Sequence, residues 1–203
     1  MKEVNIFIKL LLSIVISMNS ISCTQLLVGG TASGGIILVQ ERSPEQAAKD
    51  IVIKTKIEEA FFSTNYDDIF SKIKVIVFEG KVLLVGTVVN ESSKSSATSI
   101  VKNINGVKEI ADYIVVGKES VIDYLKDARI SLEFKAMLLT DKAISEVNYS
   151  STTENRILYI IGVSQNQEEL DKVLYHAANV AGVRKIINLV VDKNSPSRKT
   201  SNE

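Results

Sequence analysis

Short apolar runs and helical apolar stripes alternate along this chain, and the same succession of them occurs twice. Ile73 to Phe78 and Lys81 to Val88 are apolar runs separated only by Glu79-Gly80, which predicts a β-hairpin. Ala97, Val101 and Ile104 then share one face of a predicted helix. Gly106-Val107-Lys108-Glu109-Ile110 opens a last strand that runs to Val116. From Glu146 to Val191 the pattern returns, with Ile157 to Gly162 as the second hairpin arm. Val173, Ala177 and Val180 form its helical face, and Gly182-Val183-Arg184 leads into its last strand. Gly86 and Gly162 stand 76 positions apart, and so do Gly106 and Gly182. A register kept this closely marks a duplicated module.

Each hairpin is preceded by another helical stripe. Ile53, Ile57, Ala60 and Phe61 form the first, and Ile130, Phe134, Met137 and Leu138 repeat its spacing. Asp50 and Asp127 stand where a carboxylate would cap each of these helices. Gly80 and Asn155 suit the tight turns, and Gly106 and Gly182 are expected to stop the second helices. The fold class that follows is α+β: two tandem αββαβ modules, each with two helices packed on a three-stranded mixed sheet. The modules are expected at 45–118 and 119–192, with a polar, disordered tail at 193–203.

The first 22 residues have another character. Lys2 and Lys9 precede the apolar run Leu10 to Ile16, too short to span a bilayer, and small and polar residues lead to Cys23. This is the layout of a signal peptide at 1–22, and it resembles a bacterial lipoprotein signal with Cys23 as the lipid anchor. An ordinary signal peptide with an incidental cysteine is the alternative. Thr24 follows the cysteine in place of an inner-membrane-retaining aspartate, which points to the outer membrane. Residues 23–44 hold paired glycines and serines and are expected to form a tether.

Composition removes several classes of function. The 24 basic and 24 acidic residues cancel, so no global field draws the chain to nucleic acid. One cysteine and one histidine exclude an internal disulfide framework and a multi-histidine metal centre. His176 aligns with Ile100 of the first copy and reads as a packing residue. Asp67-Asp68 and Glu168-Glu169 are adjacent pairs that cannot converge on one substrate atom, and they read as solvated surface. Ser92-Ser93 and Ser95-Ser96 read as helix caps. No catalytic residue, metal ligand or cofactor is expected, and the chain reads as a non-enzyme.

The run Gly80-Lys81-Val82-Leu83-Leu84-Val85-Gly86, with Gly106-Val107-Lys108 and their second-copy counterparts, resembles the BON domain of bacterial envelope proteins. Signal, tether and two modules together resemble a dual-BON outer-membrane lipoprotein. The resemblance implies a protein lipid-anchored to the periplasmic face of the outer membrane. It also implies binding of anionic phospholipid through the second module and support of envelope integrity. Outer-membrane or other cell-envelope proteins are the further class of partner.

The residues themselves distinguish the two modules. Opposite Ile53 and Ile57 lie Thr55, Glu58, Glu59 and Phe62, a mostly acidic face. Opposite Ile130 and Phe134 lie Leu125, Leu132, Ala136 and Leu139, flanked by Arg129 and Lys135. A helix with a second apolar stripe must bury or use it. Cations beside leucines suit an anionic headgroup layer, whereas Asp127 and Glu133 oppose it. Packing of this stripe on the first module is the alternative, and with it an adaptor role in which lipid serves only as anchor.

Overall fold

The computed structural model describes residues 41–118 and 121–199. The expected signal peptide at 1–22, the expected anchor Cys23 and all but the last four residues of the expected tether at 23–44 lie outside the described residues.

Helix α1 (Pro44–Thr64) begins with proline, and the Ser43 hydroxyl accepts the Gln46 amide at 3.1 Å. It therefore starts well before Asp50. A π-helical turn, Tyr66–Phe70, leads into β1 (Ile73–Phe78), β2 (Lys81–Val88), α2 (Glu91–Lys102) and β3 (Glu109–Val116). The second copy comprises α3 (Val121–Thr140), β4 (Tyr149–Glu154), β5 (Ile157–Ser164), α4 (Gln167–Asn179) and β6 (Lys185–Asp192). In each copy the hairpin is antiparallel and the strand after the helix runs parallel to the middle one, giving orders β1-β2-β3 and β4-β5-β6. Asn90 and Asn166 cap α2 and α4, accepting the amides of Ser93 and Glu169 at 2.8 and 2.9 Å. The capping expected of the Ser92–Ser96 hydroxyls falls to Asn90.

Asp50 and Asp127 do not cap helices; they cap the hairpins. Each is buried within its helix and directs its carboxylate across to the turn. Asp50 accepts the amides of Glu79 and Gly80 at 2.8 and 2.9 Å, and Asp127 those of Asn155 and Arg156 at 2.7 Å each. Both residues of each turn are left-handed: φ is 51° and 80° at Glu79 and Gly80, and 51° and 64° at Asn155 and Arg156. These tight turns leave two adjacent amides pointing inward without ladder partners, and a carboxylate satisfies both.

The repeated glycines have two separate causes. A Cβ at Gly86 would lie 2.1 Å from the Lys72 carbonyl oxygen, and one at Gly162 2.1 Å from that of Asn148. Gly106 and Gly182, both at φ 97°, do not end the helices, which stop at Lys102 and Asn179. They occupy the third position of a following turn, closed by Val107 N–H to Ile104 and by Val183 N–H to Val180, both 3.3 Å.

Each sheet is covered on both faces. Ile53, Ile57 and Phe61 pack with Val82, Leu84, Ala97 and Val101 on the helix side of the first sheet. Ile130, Phe134 and Leu138 do the same with Leu158, Ile160, Val173 and Ala177 in the second. A further core joins the opposite faces: Phe78, Leu83 and Val85 meet Tyr159, Ile161 and Val163, and the Tyr113 and Tyr159 rings lie 5.0 Å apart. The layers thus run helices, sheet, sheet, helices.

One polar cluster crosses this interface. Lys74 Nζ donates to Glu154 Oε2 at 2.9 Å and to the Thr153 carbonyl at 2.7 Å, while Thr87 Oγ1 donates to Glu154 Oε1 at 2.6 Å. The ends of the described chain are tied down as well. Residues expected to be disordered after 192 include a short helix, Pro196–Lys199, whose Arg198 pairs with both oxygens of Glu79 and donates to the Glu41 carbonyl. The Glu41 amide reaches Asn148 Oδ1 at 2.8 Å, and Arg42 pairs with Asp50 at 2.9 Å.

Candidate functional site

With the inner faces of the two sheets buried against each other, the outer faces of the helices are among the surfaces left to meet a partner. On α3 the buried side is Ile130, Phe134 and Leu138, and the outward side carries the expected stripe. Leu125, Leu132 and Leu139 are 62%, 71% and 62% exposed, and Ala136 is exposed between them. Ile122 and Tyr124 extend the apolar face toward the start of the helix. The stripe takes no part in joining the modules; the sheet faces do that.

The cations beside the stripe are only partly engaged. Arg129 donates to the Ala181 carbonyl at 2.7 Å, and Lys135 stands 3.7 Å from Glu146. Lys126 pairs at 3.3 Å with Asp123, one turn back. Of the two opposing carboxylates, Asp127 is turned inward on the hairpin amides and adds little charge to the surface. Glu133 is half-buried at the flank. The same helical positions on α1 hold Ala48, Val52, Thr55, Glu58, Glu59 and Phe62. An otherwise matching fold therefore presents Glu58 and Glu59 on one module where it presents Lys135 and Ala136 on the other, and Ala48, Thr55 and Phe62 in place of the three leucines.

One surface was not foreseen from the sequence. Phe62, Tyr66 and Phe70 come together at the end of α1, with ring centroids 5.4–5.5 Å apart, and Phe62 and Tyr66 are more than half exposed. Their spacing of four residues was a visible signal, but the π-helical turn that keeps them on one side was not.

The candidate chemistry dissolves into structure. His176 Nε2 lies 2.8 Å from Asp141 Oδ2, a half-buried pair joining the end of α3 to α4 rather than the packing contact expected of it. That bond, with the Ala143 amide, holds the Asp141 carboxyl below the usual carboxylate range. Glu168 is surface, as expected, and pairs with Lys172. Glu169 is buried, contrary to expectation, and accepts the amides of Ser145 and Gln165 at 2.7 Å each. Burial, with the Glu169 charge nearby, pushes the Tyr149 phenol up, so its proton stays on. Among the described residues no group of His, Cys, Asp and Glu is placed to hold a metal ion, and no helix is long and apolar enough to cross a membrane.

Several proteins are similar to this chain in sequence. The chain is 35% identical over 152 residues to a protein from the gshII 5′ region of Anaplasma centrale, covering 74% of this chain and 99% of that one. It is 23% identical over 168 residues to the outer membrane lipoprotein DolP of Haemophilus influenzae, covering 82% and 86%. It is 28% identical over 143 residues to the osmotically-inducible protein Y of Escherichia coli, covering 68% and 70%. The BON domain signature matches twice, at residues 49–118 and 126–192, once on each αββαβ unit. The chain belongs to the BON-domain family.

Proposed function

We propose that this protein is a non-enzymatic envelope lipoprotein, anchored through Cys23 at the periplasmic face of the outer membrane. It binds anionic phospholipid through the outer face of α3 and so supports envelope integrity. The observation that carries this reading is the solvent exposure of Leu125, Leu132 and Leu139 beside Arg129 and Lys135, on a helix whose other side is fully used by its own core. Each leucine that leaves water contributes up to about 1.5–3 kcal/mol, enough in sum for reversible contact but short of permanent insertion. A lipid anchor supplies the second attachment that such a face requires. Similarity to a named outer membrane lipoprotein supports the location.

The stretch from Cys23 to Glu41 spans at most about 60 Å, so the helix can reach the surface that holds the anchor. Its entry point favours contact too. Arg42 and Asp50 line one cleft together with Lys135 and Leu138, which brings the start of the described chain beside the second half of α3.

The test uses residues 41–203, which retain the three cores described above and lack Cys23. Vesicles containing phosphatidylglycerol should shift the amides of 122–139, and phosphatidylcholine vesicles should not. Leu132→Glu with Leu139→Glu should abolish capture, and Arg129→Glu with Lys135→Glu should weaken it at least about tenfold. Silence across α3 in a folded protein would refute direct lipid reading. A second reading, an adaptor docking another envelope protein, draws on the exposed Phe62–Tyr66–Phe70 cluster. It requires that Phe62→Ser with Tyr66→Ser remove a discrete cross-linked partner while vesicle capture stays intact.

A further inference from the structure

The duplicated fold serves as its own control, and one corner differs sharply between the copies. Where the first module has Val52, Gly80 and Lys108, the second has Arg129, Arg156 and Arg184. All three belong to one place in the fold: the helix flank, the hairpin turn, and the approach to the last strand. Arg129 donates to the Ala181 carbonyl at 2.7 Å, and Arg156 Nε donates to the adjacent Gly182 carbonyl at 3.0 Å. The Arg184 amide donates to the Arg156 carbonyl at 2.8 Å. Arg156 and Arg184 precede the paired residues Ile157 and Lys185, and two positions beyond each arginine Leu158 and Ile186 pack into the helix-side core. The carbonyls that Arg129 and Arg156 reach belong to neighbouring residues, so their two guanidiniums meet at one turn, and the exposed Arg184 follows that turn by two residues.

Two features set this cluster apart from ordinary surface arginines. Each carbonyl contact fixes a guanidinium through one N–H and leaves its other donors free. Among the described residues no carboxylate side chain pairs with Arg129, Arg156 or Arg184; the nearby acid Asp127 spends both oxygens on the Asn155 and Arg156 amides. Moreover, Arg156 sits at φ 64°, a conformation that the first module assigns to glycine. A long cationic side chain held in a left-handed turn is locally unfavourable, and such strain is retained where the side chain is used. In the first module that space is taken instead by Lys108, whose Cγ would lie 3.0 Å from a Cβ at Gly80.

We propose that Arg129, Arg156 and Arg184 form a phosphate-recognition subsite at the hairpin end of the second module. The Arg129 and Arg156 guanidiniums, held on adjacent backbone carbonyls, match the planar, multidentate contacts that phosphate oxygens accept, and Arg184 adds a third exposed cation from the same turn. The subsite rests in part on the lipid reading, because Arg129 belongs to both: a phosphate seated here would fix the headgroup while the leucines of α3 meet the acyl region. The same chemistry would take a soluble phosphate.

The experiment separates the two. Residues 41–203 are titrated with inorganic phosphate, with chloride at equal ionic strength as the control, and followed by amide NMR. Phosphate should selectively shift Arg156 and the 181–184 segment. Arg156→Gly installs the first module's residue and relieves the left-handed strain, so it should unfold at no lower a temperature. It should nevertheless weaken both phosphate binding and capture on phosphatidylglycerol vesicles roughly tenfold. Arg184→Glu should weaken both further. Unchanged binding in Arg156→Gly and Arg184→Glu, or phosphate shifts no larger than those with chloride, overturns the subsite. If Leu132→Glu with Leu139→Glu loses vesicles but keeps the phosphate shifts, both readings stand. Phosphate shifts in a protein that captures no phosphatidylglycerol vesicles would keep the subsite and assign it to a soluble phosphate.

Discussion

A single methyl group decides whether each hairpin can lie where it does. At Gly86 and Gly162 an added side-chain carbon would strike a backbone carbonyl at the start of the neighbouring strand, and backbone cannot swing aside as a side chain can. Gly86→Ala is expected to cost about 2–4 kcal/mol, read from the urea midpoint, with Gly162→Ala costing a similar amount. Asp50 makes a comparable demand. Asp50→Ala strands the Glu79 and Gly80 amides and releases Arg42, and should destabilise by about 2–4 kcal/mol. Asn should recover only part of this, because one of its two terminal atoms is a donor facing a donor. The sequence displayed these positions without their causes. Paired glycines at one offset announced a shared constraint, yet a close approach and a left-handed turn look alike in one dimension. The aspartates looked like helix caps because a carboxylate ahead of an apolar stripe is the usual capping signal. Its true partners lie about thirty residues downstream, beyond any local pattern.

At the scale of elements, helical periodicity was the most legible signal, since Ile53, Ile57 and Phe61 and their counterparts all face their cores. The outer stripe of α3 was legible for the same reason. What it does not touch required the three-dimensional arrangement. Val82-Leu83-Leu84-Val85 and Leu158-Tyr159-Ile160-Ile161 are unbroken apolar runs, the mark of strands covered on both faces. Taken at that value, they would have assigned the contact between modules to the sheets and freed the helix stripe for another use. The α3–α4 junction carries a pH dependence. Asp141 has a lowered folded value, so its stabilisation is complete above the unfolded carboxylate range and is lost as pH falls through the folded value. His176→Ala should reduce that acid-side loss, and the Ala143 amide retains the remainder. Because both side chains reach water, the substitution should narrow the difference between unfolding free energies from urea titrations at about pH 6 and about pH 3 by less than ~1 kcal/mol.

Across the whole molecule, the shared core between the sheets makes the two modules one thermodynamic body. A single calorimetric transition is expected, with calorimetric and van't Hoff enthalpies in agreement. Glu154→Ala should separate them in part. It leaves Lys74 and Thr87 without their common acceptor, at a cost of about 2–3 kcal/mol, moderated because Lys74 retains some solvent. A low-temperature shoulder in the scan would report one module opening before the other. The clasp around Glu41 has a mechanical meaning. Among the described residues, tension arriving along the backbone from the N-terminal side is met where Glu41 is gripped by Asn148 of the second module and by Arg198 of the last described helix. One residue later, Arg42 passes the load to Asp50 in the first module. A pull applied at Glu41 is thus distributed over both halves at once, and it cannot peel one away from the other.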